Sequence, residues 1–327
     1  MGVSFVLTPP MERLALRTSF LDHPVGYKQH PRATPYLGGA AVIGGFLAGS
    51  SMLAFVGATG TVGLVVAGTV ALWALGTVDD RVGLPILSRL AAQAAVAVAF
   101  WAADAGWDVG AGGALDLALT IAWVVGLVNA FNLMDNIDGA VTAVGTVSGA
   151  GAGGLALLEG EPELAVLAFS LAGACVGFLP RNLGQPSRIF LGDGGSMPVG
   201  FVIATVIMAV PHGDLGISAL LAAAPLVGLP IFDVALVIVS RHRRGVPLVH
   251  GGRDHLTHRL HARLHTAAAV ALAVAAAQFA LAGLGLAMNR LGTAPVLLIA
   301  AGYLAAGAVA LVTLDRGAWR PSDAWRA

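Results

Sequence analysis

Residues 115–139 read LDLALTIAWVVGLVNAFNLMDNIDG, from Leu115 to Gly139. The apolar part is long enough to cross a bilayer core of about 30 Å as helix, at about 1.5 Å per residue. Its far end then carries a polar residue at every third position: Asn129, Asn132, Asp135 and Asp138. A step of three turns a helical side chain by roughly −60°, so Asn129, Asn132 and Asp135 share a face. Asp138 would point away from Asn129 on an unbroken helix, so the helix has to bend or end there. Asn136 and Gly139 suit a helix C-terminus and let Asp138 return toward the same pocket. Carboxylates and amides cost several kcal/mol in hydrocarbon, roughly 2.5–3.5 for an Asp at a helix centre. Either these residues form ordinary interhelical hydrogen bonds or they build a site.

The rest of the 327 residues sets the class. With 57% hydrophobic and 11% charged residues, the chain lies far from the soluble norm of about a quarter charged. Apolar runs at 37–56, 62–78, 87–103, 115–132, 140–158, 164–179, 197–210, 217–240, 266–288 and 294–314 predict about ten transmembrane helices. The expected fold is all-α: one polytopic membrane domain over 1–327, whose leading span is cut short at 1–10, because Met1–Thr8 is too short to cross before Pro9-Pro10. If the segment before Leu37 is cytoplasmic, all of the 18 Lys and Arg residues except Arg290 lie inside. The positive-inside rule favours that orientation. The opposite loops hold Asp104, Asp108, Asp116, Glu159, Glu161, Glu163 and Asp214. The lone Cys175 offers neither a disulfide nor a cysteine metal site.

On this topology the polar motifs share the cytoplasmic face. Asp79-Asp80 closes one span, and a solvated loop pair is its bland reading. Phe190-Leu-Gly-Asp193-Gly-Gly-Ser196 opens another. Free N–H groups at such a helix start suit phosphate, and Asp193 suits Mg²⁺; a helix cap is the alternative. The Arg253 to His265 stretch is rich in Arg and His, which suits anions, although His255, His258, His261 and His265 also have zinc-like spacing. Arg241, Arg243 and Arg244 read as topology anchors.

Taken in order, Asp22-x-Pro24, Lys28-x-His30, Thr34-Pro35-x-x-Gly38-Gly39, Asp79-Asp80, Asn129-Ala-Phe-Asn132-x-x-Asp135-x-x-Asp138-Gly139, Phe190-x-Gly-Asp193 and Asp254-His255-x-x-His258-Arg-Leu span most of the chain. The set resembles the polyprenyl-phosphate N-acetylhexosamine-1-phosphate transferases. The resemblance implies a plasma-membrane enzyme with a cytoplasmic site, which moves a sugar 1-phosphate from a UDP-sugar to a polyprenyl phosphate, releases UMP and initiates cell-envelope glycan assembly. It implies Mg²⁺, with Mn²⁺ as a substitute, held by Asn132 and Asp193. Asp79, Asp80, Asp135, Asp193 and His255 are the implied catalytic residues. Lys28, His30, Asn129, Asp138, Phe190, Arg253, His258 and Arg259 are the implied substrate contacts, Phe190 as a stacking surface for uracil. The membrane and the two substrates are the expected partners; a homodimer stays open and no nucleic acid is expected.

The chain also departs from the family pattern. Tyr27 precedes Lys28 where the family has Arg, Gly83 replaces a third acidic residue, the 182–190 stretch is one residue longer, and Thr257 stands where the His-x-His-His motif has its middle His. A flippase or transporter is the competing class. Its intramembrane charges would lie near the midplane rather than at one surface.

Overall fold

The computed structural model describes residues 1–23, 33–55, 60–110, 112–211, 216–248 and 252–316. Among them the chain forms thirteen α-helices: α1 (Gly2–Arg17), α2 (Gly38–Ser50), α3 (Gly60–Val82), α4 (Ile86–Ala102), α5 (Gly113–Met134), α6 (Ala140–Leu158), α7 (Pro162–Asn182), α8 (Asp193–Ala209), α9 (Ile217–Ala223), α10 (Gly228–Arg244), α11 (Leu256–Leu264), α12 (Ala267–Met288) and α13 (Thr293–Arg316). A two-residue antiparallel ladder, with Leu21 opposite Pro35, is the only strand pairing among the described residues. Seven helical runs are long and apolar enough to cross a membrane: α3, α5, α6, α7, the joined α9–α10, α12 and α13. Three shorter apolar helices, Gly38–Ala54, Ile86–Ala102 and Asp193–Ala209, fall where the other three expected spans lie. The protein is an all-α polytopic membrane protein.

The opening segment is helical: α1 runs through Pro9 and Pro10 to Arg17 and packs on α2 and α7. Ser4 and Thr8 are fully buried on that face, the Thr8 hydroxyl donates to the Ser4 carbonyl at 2.7 Å, and Arg181 pairs with Glu12 at 3.3 Å.

Helix α8 is the centre of the bundle. It is apolar all round, the pattern of a helix with no solvent face, and every residue from Gly194 to Met208 is buried. It packs against α2, α3, α5, α6 and α7. Two glycines set its position. A Cβ on Gly76 of α3 would stand 2.3 Å from the Asp193 carbonyl oxygen, so only glycine lets α3 come this close. Gly192 has φ of 71°, which favours glycine, and its Cβ would meet Asp80 Oδ2 at 2.6 Å.

The run read as one span over 217–240 is broken between α9 and α10 by a 3₁₀ turn at Ala224–Val227. Pro230 has no N–H for the Leu226 carbonyl, and hydrocarbon offers no substitute donor. Gln278 of α12, fully buried, supplies it: Nε2 donates to Leu226 O at 2.7 Å and Pro225 O at 3.1 Å, while Oε1 accepts from Leu229 N at 3.0 Å.

The up-and-down course gathers the C-termini of α3, α5, α7, α10 and α13 at one end with the N-termini of α2, α4, α6, α8 and α12. At the other end Arg290, between α12 and α13, donates to Leu158 O beside Glu159. The motif residues among those described fall at the first end.

Candidate active site

The last turn of α3 carries Asp79 and Asp80 in helix, not in a loop. Their carboxylates diverge. Asp80 accepts the N–H groups of Asp193 at 2.9 Å and Gly194 at 3.0 Å, capping α8 from a neighbouring helix. The next two amides, of Gly195 and Ser196, bond Gly192 O. All four N-terminal amides of α8 are therefore engaged within the protein, and the free phosphate cradle expected there is already filled by Asp80. Asp79 is 8% exposed and accepts from the Leu84 amide at 2.6 Å and from Arg89 of α4. Arg89 also reaches Asp193 Oδ2 at 3.4 Å, so one guanidinium bridges two carboxylates.

Helix α5 delivers its amides as the three-residue spacing predicts. Asn132 Nδ2 donates to Asp193 Oδ1 at 2.8 Å and to the Ser196 hydroxyl at 3.1 Å. Asn129 donates to Gln93 Oε1 at 2.6 Å, and Gln93, fully buried on α4, lies 3.9 Å from the Met197 sulfur. The helix ends at Met134, and residues 135–139 turn before α6 starts. Asn182 of α7 holds that turn through its Oδ1, which accepts the Gly139 amide at 2.7 Å. Asp135 is half-buried. Burial, then repulsion from Asp193, Asp138 and Asp80, pushes its carboxyl well above the usual carboxylate range, while a hydrogen bond from the Gly192 amide opposes the shift. Asp138 is half-buried in the same turn.

Phe190 is half-buried, its ring edge-on to Tyr36 with centroids 6.1 Å apart, and its amide donates to Pro35 O at 2.8 Å. Burial, then the charges of Asp22, Asp80, Asp193 and Asp135, hold the Tyr36 hydroxyl far above its ordinary range, which marks it as a neighbour of the acidic group. Lys28 and His30 lie outside the described residues.

The His/Arg segment forms a second wall. Asp233, fully buried on the apolar helix α10, accepts the Leu256 amide at 2.6 Å and lies 2.8 Å from His255 Nδ1. It fixes the start of α11 and one edge of the His255 ring. His258 packs edge-on to His255 at 6.4 Å. Its pKa is pushed down to about 3 by burial and then by His255, Arg253 and His261, which leaves the ring neutral. Thr257, fully buried, donates its hydroxyl to Asn136 Oδ1 and ties this wall to the 135–139 turn.

Burial alone would raise the Asp254 carboxyl, but two hydrogen bonds from Arg241, at 2.7 and 2.8 Å, and its charge hold it below the usual carboxylate range. Arg241 is thus a buried partner of the motif. Arg253 is half-buried beside it in sequence, whereas Arg259 donates to Asp254 O, Leu314 O and Ser240 Oγ, toward α10 and α13.

Sequence reasoning missed Gln93, Tyr36, Asn182 and Asp233. A lone Asp in the apolar run LPIFDVALVIV and a Gln in AAQAAVAVAF were the available signals. Among the described residues no three His, Cys, Asp or Glu side chains gather as a metal-ligand set, the four spaced histidines included. A hard cation fits differently. Asp193 and Asn132 carry oxygen donors, Arg89 already places positive charge between Asp79 and Asp193, and Mg²⁺ commonly takes one or two carboxylates with substrate phosphates completing its shell.

These features define a polytopic membrane protein with carboxylates and imidazoles converging at one end of the bundle. Residues 62–210 match glycosyl transferase family 4. The chain is similar to the decaprenyl-phosphate N-acetylglucosaminephosphotransferase of Mycobacterium tuberculosis, 32% identical over 79% of this chain and 73% of the relative. It is 31% identical to an undecaprenyl-phosphate alpha-N-acetylglucosaminyl 1-phosphate transferase of Thermotoga maritima, over 73% of this chain and 72% of that one. The Escherichia coli enzyme with the latter name is 26% identical over 75% and 70%. The chain belongs to this family of polyprenyl-phosphate N-acetylhexosamine-1-phosphate transferases.

Proposed function

We infer that the protein transfers N-acetylhexosamine 1-phosphate from a UDP-sugar to a membrane polyprenyl phosphate. An oxygen of the lipid phosphate attacks the β-phosphorus, the bond from that phosphorus to the oxygen of UMP breaks, and a polyprenyl-diphosphate sugar forms. The observation that carries this reading is the gathering of Asp79, Asp80, Asn132, Asp135 and Asp193 beside the His255 wall, which Thr257 ties to the 135–139 turn, in a chain whose relatives are named for moving N-acetylglucosamine phosphate onto a polyprenyl phosphate.

Two anions must meet, so the chain's first task is to offset and orient charge. Arg89, Arg253 and His255 supply positive or donor groups around the diphosphate, with Lys28 and His30 as further contributors. Asp193 and Asn132 would hold Mg²⁺ or Mn²⁺, which supplies charge neutralisation for the leaving phosphate. Asp79 and Asp80 serve as positioning groups. Both Asp80 oxygens are taken by α8 amides, and an acceptor phosphate with a second pKa of about 6 is already mostly ionised at neutral pH. Phe190 offers its ring to uracil, with Asn129 and Asp138 at the same end for sugar or base contacts.

The site faces the cytoplasm of the plasma membrane in this reading, from the basic asymmetry of the loops. In a Cys175→Ala background, Ser88→Cys at the site end should be shielded from an impermeant thiol reagent in intact cells, and Glu159→Cys should label. The reverse pattern would overturn the orientation. The function itself is tested with purified membranes, polyprenyl phosphate and a panel of UDP-N-acetylhexosamines. Donor-dependent labelled lipid and released UMP are expected; lipid translocation without transfer from any donor would favour the flippase alternative.

A further inference from the structure

A second polar centre lies where α10 and α13 end. Ser240, Arg243, Arg244, Arg259 and Asp315 line a cavity of about 160 Å³. Arg243 pairs with Asp315, and its side chain is 51% exposed. Arg244 donates to Ser240 O and Oγ and reaches Asp254, and Arg259 donates to Ser240 Oγ and Leu314 O. The lining thus carries three guanidiniums against one carboxylate. Capping of the α10 C-terminus accounts for part of that charge. It does not account for a cavity, nor for Arg243, which among the described residues commits one of its five donors to Asp315.

The depth of the cavity selects the ligand. Helix α13 is exposed at Leu298, Leu304 and Val309, the surface of a span that faces lipid, and Asp315 closes that span. A cavity at this level opens among headgroups. Guanidiniums recognise phosphate through paired N–H donors, and basic pockets between membrane helices on one face suit anionic headgroups. We propose that this cavity binds the headgroup phosphate of an anionic phospholipid, with Arg243 as its outermost ligand. A phosphate there would lie against Arg244 and Arg259. Both also bond Asp254, the residue before His255, so occupancy would brace the His255 turn.

The test uses the full chain in nanodiscs with no sugar nucleotide or polyprenyl phosphate, so its outcome is separate from the transferase reading. Adding phosphatidylglycerol to phosphatidylcholine should raise the wild-type Tm by roughly 2–4 °C. Arg243→Gln should start from a somewhat lower Tm in phosphatidylcholine alone, because Asp315 loses its nearer partner, and should lose most of the shift. Arg243→Lys should keep part of it, and Arg17→Gln, an exposed basic residue at the same end, should keep all of it. An undiminished shift in Arg243→Gln would overturn the site. An Arg243-dependent shift given by inorganic phosphate or by polyprenyl phosphate, but not by phosphatidylglycerol, would overturn the phospholipid assignment.

Discussion

Two acidic regions share one end of this bundle and treat their charges differently. Around α11, Asp254 is 1% exposed and takes two hydrogen bonds from Arg241, and Asp233, fully buried, takes the Leu256 amide and faces His255. Each carboxylate has its own partner. Between α3, α5 and α8, by contrast, Asp79, Asp80, Asp135 and Asp193 crowd together, and among the described residues Arg89 is the one guanidinium paired with them. Burial and then repulsion push Asp135 up there, whereas Arg241 holds Asp254 down against its own burial. A balanced set is finished as architecture. An unbalanced one leaves negative charge for which a bound cation and substrate are the natural complement.

That contrast separates stability from activity. Arg241→Ala leaves the buried Asp254 with Arg244 alone at 3.2 Å and should cost about 3 kcal/mol of stability, read as a large fall in Tm or as loss of folded protein. A Tm within a degree of wild type would mean that the balanced region is not structural. Asp193→Asn should do the opposite. It removes one member of a mutually repelling group of carboxyls, so Tm should hold or rise, while forward transfer and exchange of labelled UMP into UDP-sugar both fall by about 10²–10³-fold or more. Near-normal exchange at low Mg²⁺ would sink the metal assignment.

The same contrast explains what could be seen in the sequence. Membrane class and the approximate positions of the spans follow from apolar run length, and the three-residue recurrence of Asn129 and Asn132 near the end of α5 was legible because helix geometry is local. The partner that fills each position was not legible. Nothing near Asp80 says that it caps α8, since the two are joined only by the close packing that Gly76 permits. Asp233 looked like one polar residue in an apolar helix until the fold placed His255 against it. That the first residues form a helix running through Pro9 and Pro10 and packed on α2 and α7 was not legible either. Lys28 and His30 rest on the family resemblance alone.

A third polar centre extends the balanced class into the middle of the bundle. Gln278→Leu keeps volume but leaves the Pro225 and Leu226 carbonyls and the Leu229 amide without their partner. A loss of about 1–3 kcal/mol is expected, a fall in Tm with little change in KM for either substrate in the folded fraction. Gln278→Glu, which keeps an acceptor but changes the donor side, should lie on the destabilised side as well. A neutral Gln278→Leu variant would show that the 3₁₀ turn satisfies itself.

The smallest effect tests whether the two acidic regions work as one. Thr257 hands its hydroxyl to Asn136, a side-chain bond between the His255 wall and the 135–139 turn, at the position where this chain departs from the family's histidine. Thr257→Val keeps the shape and removes the donor. Because Asn136 is half-buried, water can reach its oxygen, so the stability cost should stay near 0.5–1.5 kcal/mol. Transfer should fall by less than about tenfold, which corresponds to 1.4 kcal/mol in the barrier, and Thr257→Ser should restore most of it. If the bond is the coupling, Asn136→Ala combined with Thr257→Val should be no worse than the more damaging single change. Fully additive losses would mean that the two walls meet only through the substrate, and that the Thr257 contact is incidental to how the balanced region positions the unbalanced one.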